Sequence, residues 1–394
     1  MITELRLNNW KSFANAILNI DQLTFLIGTN ASGKSNILDA LGFLKALSEG
    51  VQIRDIVSNV RGGEEWIIRK GCESFSLSLT IVEDDYNYRY TVEIGYINKS
   101  ISIINEKLER QFKKTSWKAL FYSDSENNPG QLTLPTRFYT AKRGNLRRLD
   151  LSRQTAVISQ IEILQVLKEV KEAAKVVVDT MKRIIILNPI PETMRSYTPL
   201  APILLPDASN IAGVLAAKTE EEQKAIETQL SFYVKPLPER DIKREWVEKV
   251  GLYKKDAMLY CEEEWSDNHC LTLDARGMSD GTLRFVSIVT ALLTAEENSL
   301  LVIDEVDNGL HPSRAKELVN VLRTLGNKRN IDVLCTTHNP ILVDELGVIM
   351  IPFISYVERD NAGNSVIKLL EEIPNLAKMM SSNSVGELMV KDRI

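Results

Sequence analysis

The sequence predicts an α/β protein with a β-rich arm near its N-terminus and an inserted helical lobe. Three observations lead there. A continuous apolar run, Leu23 to Ile27, is followed at once by a glycine-rich turn and then by apolar residues at helical spacing. Period-two alternation runs from Ser74 to Val82 and from Tyr86 to Ile97. A long helical pattern then covers Thr155 to Lys182.

Composition bounds the rest. The chain has 394 residues, 44% hydrophobic and 26% charged, which suits an ordinary globular protein of two or three domains. A formal net charge of −5 excludes polyanion binding by bulk electrostatics, so any nucleic-acid contact needs a local basic patch. Cys72, Cys261, Cys270 and Cys335 are scattered with no CxxC pair, which argues against a disulfide scaffold or zinc finger and suits a reducing cytoplasm. The first residues alternate and carry charge, unlike a signal peptide, and no run of about 18 apolar residues suggests a membrane span.

Each element has its own signal. Ile2, Leu5 and Leu7 mark a first strand, and Ile17, Leu18 and Ile20 a second. The run Leu23 to Ile27 reads as a third, buried on both faces. Ile37, Leu38, Leu41, Leu44 and Leu47 then recur at helical spacing. Asp84-Asp85 separates the two alternating segments of the arm, and Ser102 to Leu108 extends it. Helices are expected over Thr155 to Lys182, Ala217 to Leu230 and Asp241 to Val250, so residues 141–255 are read as a helical lobe between two halves of one α/β unit, 1–140 and 256–394. Beyond it come strands at Met258 to Glu264 and Cys270 to Asp274, and a helix at Val286 to Thr294. A buried strand ending in acids follows (SLLVIDE), then a helix at Ser313 to Leu325 and a strand at Ile331 to His338. The segments ISYVERD and SVIKLLE flank NAGN as a hairpin.

Gly28-Thr29-Asn30-Ala31-Ser32-Gly33-Lys34-Ser35 fits the Walker A pattern GxxxxGKS between a strand and a helix. Glycines let backbone N–H groups turn inward around a phosphate, and the helix adds the positive end of its dipole. Lys34 is expected to reach the β- and γ-phosphates and the Ser35 hydroxyl to ligate Mg²⁺. Leu300 to Glu305 (LLVIDE) reads as Walker B, delivering Asp304 to the metal and Glu305 beside it as the base that orients water. Ser279-Asp280-Gly281 alone is an ordinary helix start, but it stands about 20 residues before Walker B in an order that is informative. His338 follows Walker B by one strand–helix–strand step and is expected on the same sheet edge as Glu305.

Together these segments resemble the ABC-type ATPase heads, and more closely their RecF/SMC/OLD branch. The opening LRLNNWKSF…LTFLIGTNASGKSN is similar to that branch, and the long gap between Ser35 and Ser279 is unlike a transporter domain. SDGTLR and DEVDNGLHP resemble the stand-alone AAA-family ATPases of bacterial anti-phage defence modules, such as the Septu-type and retron-associated ones. The resemblance implies that Gly28, Asn30, Gly33, Lys34 and Ser35 bind ATP, with Lys11 and Ser12 near it. It implies a signature at Ser279 and Gly281 that caps the γ-phosphate of an opposite subunit, and a D-loop at Asp307. Asp304 and Glu305 become the metal-shell and catalytic acids, and His338 a γ-phosphate sensor. MSDGT departs from the LSGGQ wording; Asp280 is expected to point away from phosphate, capping the helix. The glutamine of the Q-loop is not placed.

The resemblance further implies an ATP-dependent homodimer, or a larger assembly, that regulates an effector such as a nuclease in another chain. The alternative is a RecF-like DNA maintenance ATPase. Lys142, Arg143, Arg147, Arg148 and Arg153, with Lys113, Lys114 and Lys118, form two basic runs that read either as a DNA backbone track or as solvated, paired surface.

Overall fold

The computed structural model of the chain describes residues 1–123, 133–140, 146–236, 241–266 and 269–391. Strands β1 (Ile2–Trp10), β2 (Phe13–Asn19) and β3 (Leu23–Ile27) lead into helix α1 (Lys34–Ser48). The arm follows as β4 (Ser74–Glu83), β5 (Tyr86–Ile97), β6 (Ser100–Phe112), β7 (Lys118–Ser123), β8 (Thr133–Tyr139) and β9 (Leu146–Ser152). Helix α2 (Lys168–Lys182) precedes β10 (Ile184–Leu187). Next come β11 (Thr198–Pro199), α3 (Glu220–Val234), β12 (Asp241–Val250), β13 (Asp256–Ser266) and β14 (His269–Asp274). The last part holds α4 (Asp280–Thr294), β15 (Leu300–Ile303), α5 (Ala315–Arg329), β16 (Asp332–Thr337), α6 (Pro340–Leu346) and the hairpin β17 (Ile354–Arg359) and β18 (Ser365–Leu369).

Fourteen strands form one sheet in the order β10-β15-β16-β3-β17-β18-β2-β1-β4-β5-β6-β7-β8-β9. The neighbours β10, β15, β16, β3 and β17 run parallel, whereas β2 and β1 and everything from β4 to β9 run antiparallel. The parallel part is buried on both faces, which explains its unbroken apolar runs. Leu23, Phe25 and Ile27 of β3 enter one core with α4 and α5, while Leu26 enters a second with α1 and α2. β15 divides the same way, Leu301 and Ile303 against Leu300 and Val302. In the second core Trp10, Phe43 and Phe75 meet edge to face, and Trp10 Nε1 donates to the Asn36 carbonyl at 2.7 Å. That contact sets the β1–β2 turn over the start of α1.

The stretch expected as a helical lobe carries strands as well. Residues 241–250 form β12, a strand and not the expected helix, in a second antiparallel sheet with β11, β13 and β14. A register shift between Ile242 and Arg244 places Ile242, Glu245 and Val247 on the buried side. The extra residue made a period of two read as helical. The expected helix from Thr155 is also interrupted. A helical turn at Val157–Gln160 and a 3-10 turn at Ile161–Ile163 come first, and α2 starts only at Lys168. The buried Glu106 carboxylate of β6 accepts the Val157 and Ile158 amides at 2.7 and 2.8 Å, so the arm dictates that separate turn. Ile184–Leu187 then joins the central sheet beside β15.

Candidate functional site

The phosphate loop, the acids after β15 and the end of β16 share one edge of the parallel sheet. The register pairs Ile27 with Thr337 and Ile303 with Cys335, so Gly28, Asp304 and His338 all leave at neighbouring strand ends. That is where parallel sheets place ligands.

Two glycines let the loop turn under the β17–β18 hairpin. Gly28 has φ +145°, and a Cβ there would lie 2.2 Å from the Val357 carbonyl oxygen. Gly33 has φ +120°, and its Cβ would lie 2.4 Å from Ser365 Oγ. Lys34 Nζ donates to the Gly28 and Thr29 carbonyls at 2.7 and 2.9 Å. Burial depresses the Lys34 pKa, against the opposing pull of Glu305 and Asp304. Asn30 is exposed at the loop's crest. α1 has no side-chain cap and no acid in its first turn, so its dipole and leading amides are not answered by a carboxylate of its own. Ser35 Oγ lies 3.4 Å from Asp304 Oδ2. Two hard oxygen donors beside a phosphate loop fit Mg²⁺.

Thr336 organises the acids, and the sequence reading missed it. Its hydroxyl donates to Asp304 Oδ1 at 2.7 Å and accepts the Glu305 amide at 2.7 Å. Glu305 is half-buried with φ +46°, in the left-handed region. Asn308 Nδ2 donates to its Oε2 at 3.1 Å. Thr337 Oγ1 donates to Asp307 Oδ1 at 2.6 Å, and His338, the next residue, is exposed. A pair of threonines in an otherwise apolar strand is the signal that could have found Thr336.

Ser279 and Gly281 are not joined to their own phosphate loop by any hydrogen bond among the described residues. Ser279 is exposed and caps α4, accepting the Thr282 amide at 3.1 Å. Asp280 does not form that cap; it accepts from Arg195 at 2.7 Å. Gly281 is buried, and a Cβ there would lie 3.1 Å from both the Gly309 carbonyl oxygen and Arg314 Nη1.

Lys11 has φ +48°, and its Nζ donates to Asp39 Oδ2 at 2.6 Å and to the Arg61 carbonyl at 2.8 Å. Burial depresses its pKa, Asp39 opposing and Arg61 reinforcing. Together with Ser35, Arg61, Trp66, Lys70 and Arg359, it lines a cavity of about 610 Å³ beside the loop. Arg61 reaches the Ser35 carbonyl at 3.1 Å, and Arg359 Nε the Ala31 carbonyl at 3.1 Å. Neither arginine has a local sequence signal, because each reaches the loop only through folding.

The basic runs look different in three dimensions. Lys113 pairs with Asp85, Lys118 with Glu169 and Arg148 with Asp150. Arg153 is buried and donates to the Thr133 and Ile103 carbonyls. Lys142 and Arg143 lie outside the described residues.

A cationic loop, paired hard oxygens and an adjacent carboxylate at one sheet edge are the parts of phosphoryl-transfer chemistry. Fold and site define a P-loop ATPase, an enzyme that hydrolyses ATP. The chain belongs to the family described as "AAA domain, putative AbiEii toxin, Type IV TA system", which matches residues 23–344. Among solved structures it is similar to an Smc head domain with an extended coiled coil bound to the C-terminal domain of ScpA, derived from Pyrococcus furiosus. Identity is 14% and the TM-score 0.50, over 97% of this chain and 99% of that one. The SMC head domain from Thermotoga maritima aligns at 14% identity and a TM-score of 0.48, over 93% and 98%. An SmcHead bound to the C-winged helix domain of ScpA aligns at 14% and 0.49, over 93% and 96%. Such likeness is one of fold. No curated protein matches the sequence. Among the described residues no helix is long and apolar enough to cross a membrane.

Proposed function

We propose that this ATPase closes as a homodimer around ATP, the phosphate loop of one copy facing Ser279 and Gly281 of the other. The observation that carries this reading is the placement of Ser279: exposed at a helix N-terminus and unconnected to the loop of its own chain. Such a turn is suited to a phosphate presented by a second copy, and a symmetric pair satisfies both halves at once.

Within each site Lys34, Ser35 and the leading amides of α1 bind the phosphates, while Gly28 and Gly33 allow the loop its turn. Asn30 at the crest, Lys11 and the neighbouring basic cavity hold the rest of the nucleotide. Ser35 and Asp304 would hold Mg²⁺, which neutralises charge on the phosphate oxygens. Glu305 orients a water and takes its proton as the water oxygen bonds to the γ-phosphorus and the bond to ADP breaks. His338 contacts the γ-phosphate and Asp307 the dimer interface. ATP binding closes the dimer and hydrolysis reopens it.

The cycle is read as controlling an effector, such as a nuclease in another chain, in cytoplasmic anti-phage defence. The family's description, with its toxin and toxin–antitoxin wording, supports that setting. Fold likeness alone does not fix function. The alternative of a RecF-like ATPase binding DNA directly has less support, since Lys113, Lys118 and Arg148 are paired with acids.

The deciding experiment is the solution mass with and without ATP·Mg²⁺, wild type beside Glu305→Gln. The variant is expected to accumulate a nucleotide-dependent dimer or larger assembly. An unchanged mass, with wild type hydrolysing ATP as a monomer, removes the trans role of Ser279.

A further inference from the structure

One buried guanidinium joins the signature turn to the segment that follows the Asp307 loop. Arg314 ends the short turn Pro312–Arg314, just past the Asp307 loop, and is 3% exposed. Its Nη1 and Nη2 each lie 3.4 Å from Thr282 Oγ1, and Thr282 Oγ1 lies 2.9 Å from Ser279 Oγ. Nη1 also closes over the bare face of Gly281. The second sheet buries two acids, Glu245 on β12 and Glu263 on β13, which are 1% and 3% exposed. Neither oxygen of Glu245 has a hydrogen-bond partner among the described residues. Burial, reinforced by Glu263 and opposed by Arg314, pushes its pKa to about 8.

Stability alone does not account for this arrangement. Burying charged groups costs several kcal/mol each, and apolar side chains of similar size hold a fold as well or better. What a guanidinium between two elements supplies is a fixed relative position. Here those elements are the turn Pro312–Arg314, which follows the Asp307 loop, and the turn Ser279–Thr282.

We propose that Arg314 is a positioning residue, holding the signature turn where it caps the nucleotide of the opposite copy and tying that placement to the loop that follows Asp307. This rests on the dimer reading above.

The test uses the full chain in the Glu305→Gln background. Two quantities are read: ATP affinity of the monomer at low protein concentration, and the protein concentration at which ATP·Mg²⁺ yields half dimer. Ser279→Arg blocks the signature directly and is expected to abolish the dimer while monomer affinity stays. Arg314→Met is expected to raise the half-dimer concentration at least about tenfold and to alter monomer affinity less than about twofold. Arg314→Lys, which keeps the charge, recovers part of that loss. Because Arg314→Met removes the positive charge that opposes the raised pKa of the buried Glu245, the triple variant Glu245→Leu/Glu263→Leu/Arg314→Met accompanies it; it is expected to melt like the parent and still dimerise poorly. If the triple variant and Arg314→Lys both dimerise like the parent while Ser279→Arg does not, the positioning role is overturned. If Ser279→Arg itself dimerises normally, the dimer reading fails first, and the two failures are distinguished.

Discussion

Thr336 Oγ1 stands 2.7 Å from Asp304 Oδ1, and the same oxygen accepts the amide of Glu305 at 2.7 Å. One hydroxyl of β16 therefore orients both acids that follow β15. The hydroxyl proton is committed to Asp304, which turns the other carboxylate oxygen toward Ser35. The amide bond holds Glu305 in its left-handed backbone.

Thr336→Val keeps the shape and removes that hydroxyl. A partly buried amide and a carboxylate oxygen lose their partner, at about 1–3 kcal/mol of stability. Hydrolysis is expected to fall at least about tenfold, because misplaced acids lose transition-state contacts. Thr336→Ser restores both. Steady-state hydrolysis and urea midpoints of the two variants check it.

Lys34→Ala removes the loop's buried ammonium. The proposed role on the phosphates predicts a loss of at least about 100-fold in hydrolysis, the scale seen when one preorganised hydrogen-bond donor to developing charge is deleted. Hydrolysis rates beside the far-ultraviolet circular dichroism of the variant are the measurement. An active, folded Lys34→Ala protein contradicts the assignment.

Gly28→Ala meets the Val357 carbonyl at 2.2 Å in a backbone with φ +145°. Neither partner is a flexible side-chain end, so the loop or the hairpin must shift. The expected loss is about 3 kcal/mol or more, with nucleotide binding lost as well. Thr29→Ala, at an exposed neighbour, is expected to change stability by under about 0.5 kcal/mol. Denaturant titration compares them.

Glu245 gives the stability a pH dependence. Its folded pKa of about 8 lies above the ordinary 4.5, so the native chain keeps a proton that the unfolded chain releases. Its contribution is complete below pH 4.5 and is lost as pH rises through about 8. Glu106, raised to about 7 by burial against its hydrogen bonds to Val157, Ile158 and Tyr90, acts in the same direction. In Glu245→Gln the fall of stability between pH 5 and 8 is expected to be shallower, by up to about 1.4 kcal/mol per pH unit. Urea midpoints across that range measure it.

Much of the site was legible in the chain. Walker A and Walker B are contiguous, and a strand buried on both faces has an apolar signature that survives without knowledge of its neighbours. The 241–250 helix was misread for a related reason. A bulge changes the spacing of buried residues, and only pairing with β13 reveals it. Glu106 likewise reorganised the expected long helix from 51 and 52 residues away.

The chain order alone accounts for the phosphate loop, the acids after β15 and the position of His338, because each depends on local turn chemistry and on which strand end it follows. Folding alone decides that Thr336 bridges Asp304 and Glu305, that Arg61 and Arg359 grip the loop, and that Arg314 meets Thr282 of the signature turn. The physical reason is range. A motif is written in neighbouring residues, whereas a hydrogen bond or buried charge draws its partner from whatever element the sheet order brings beside it.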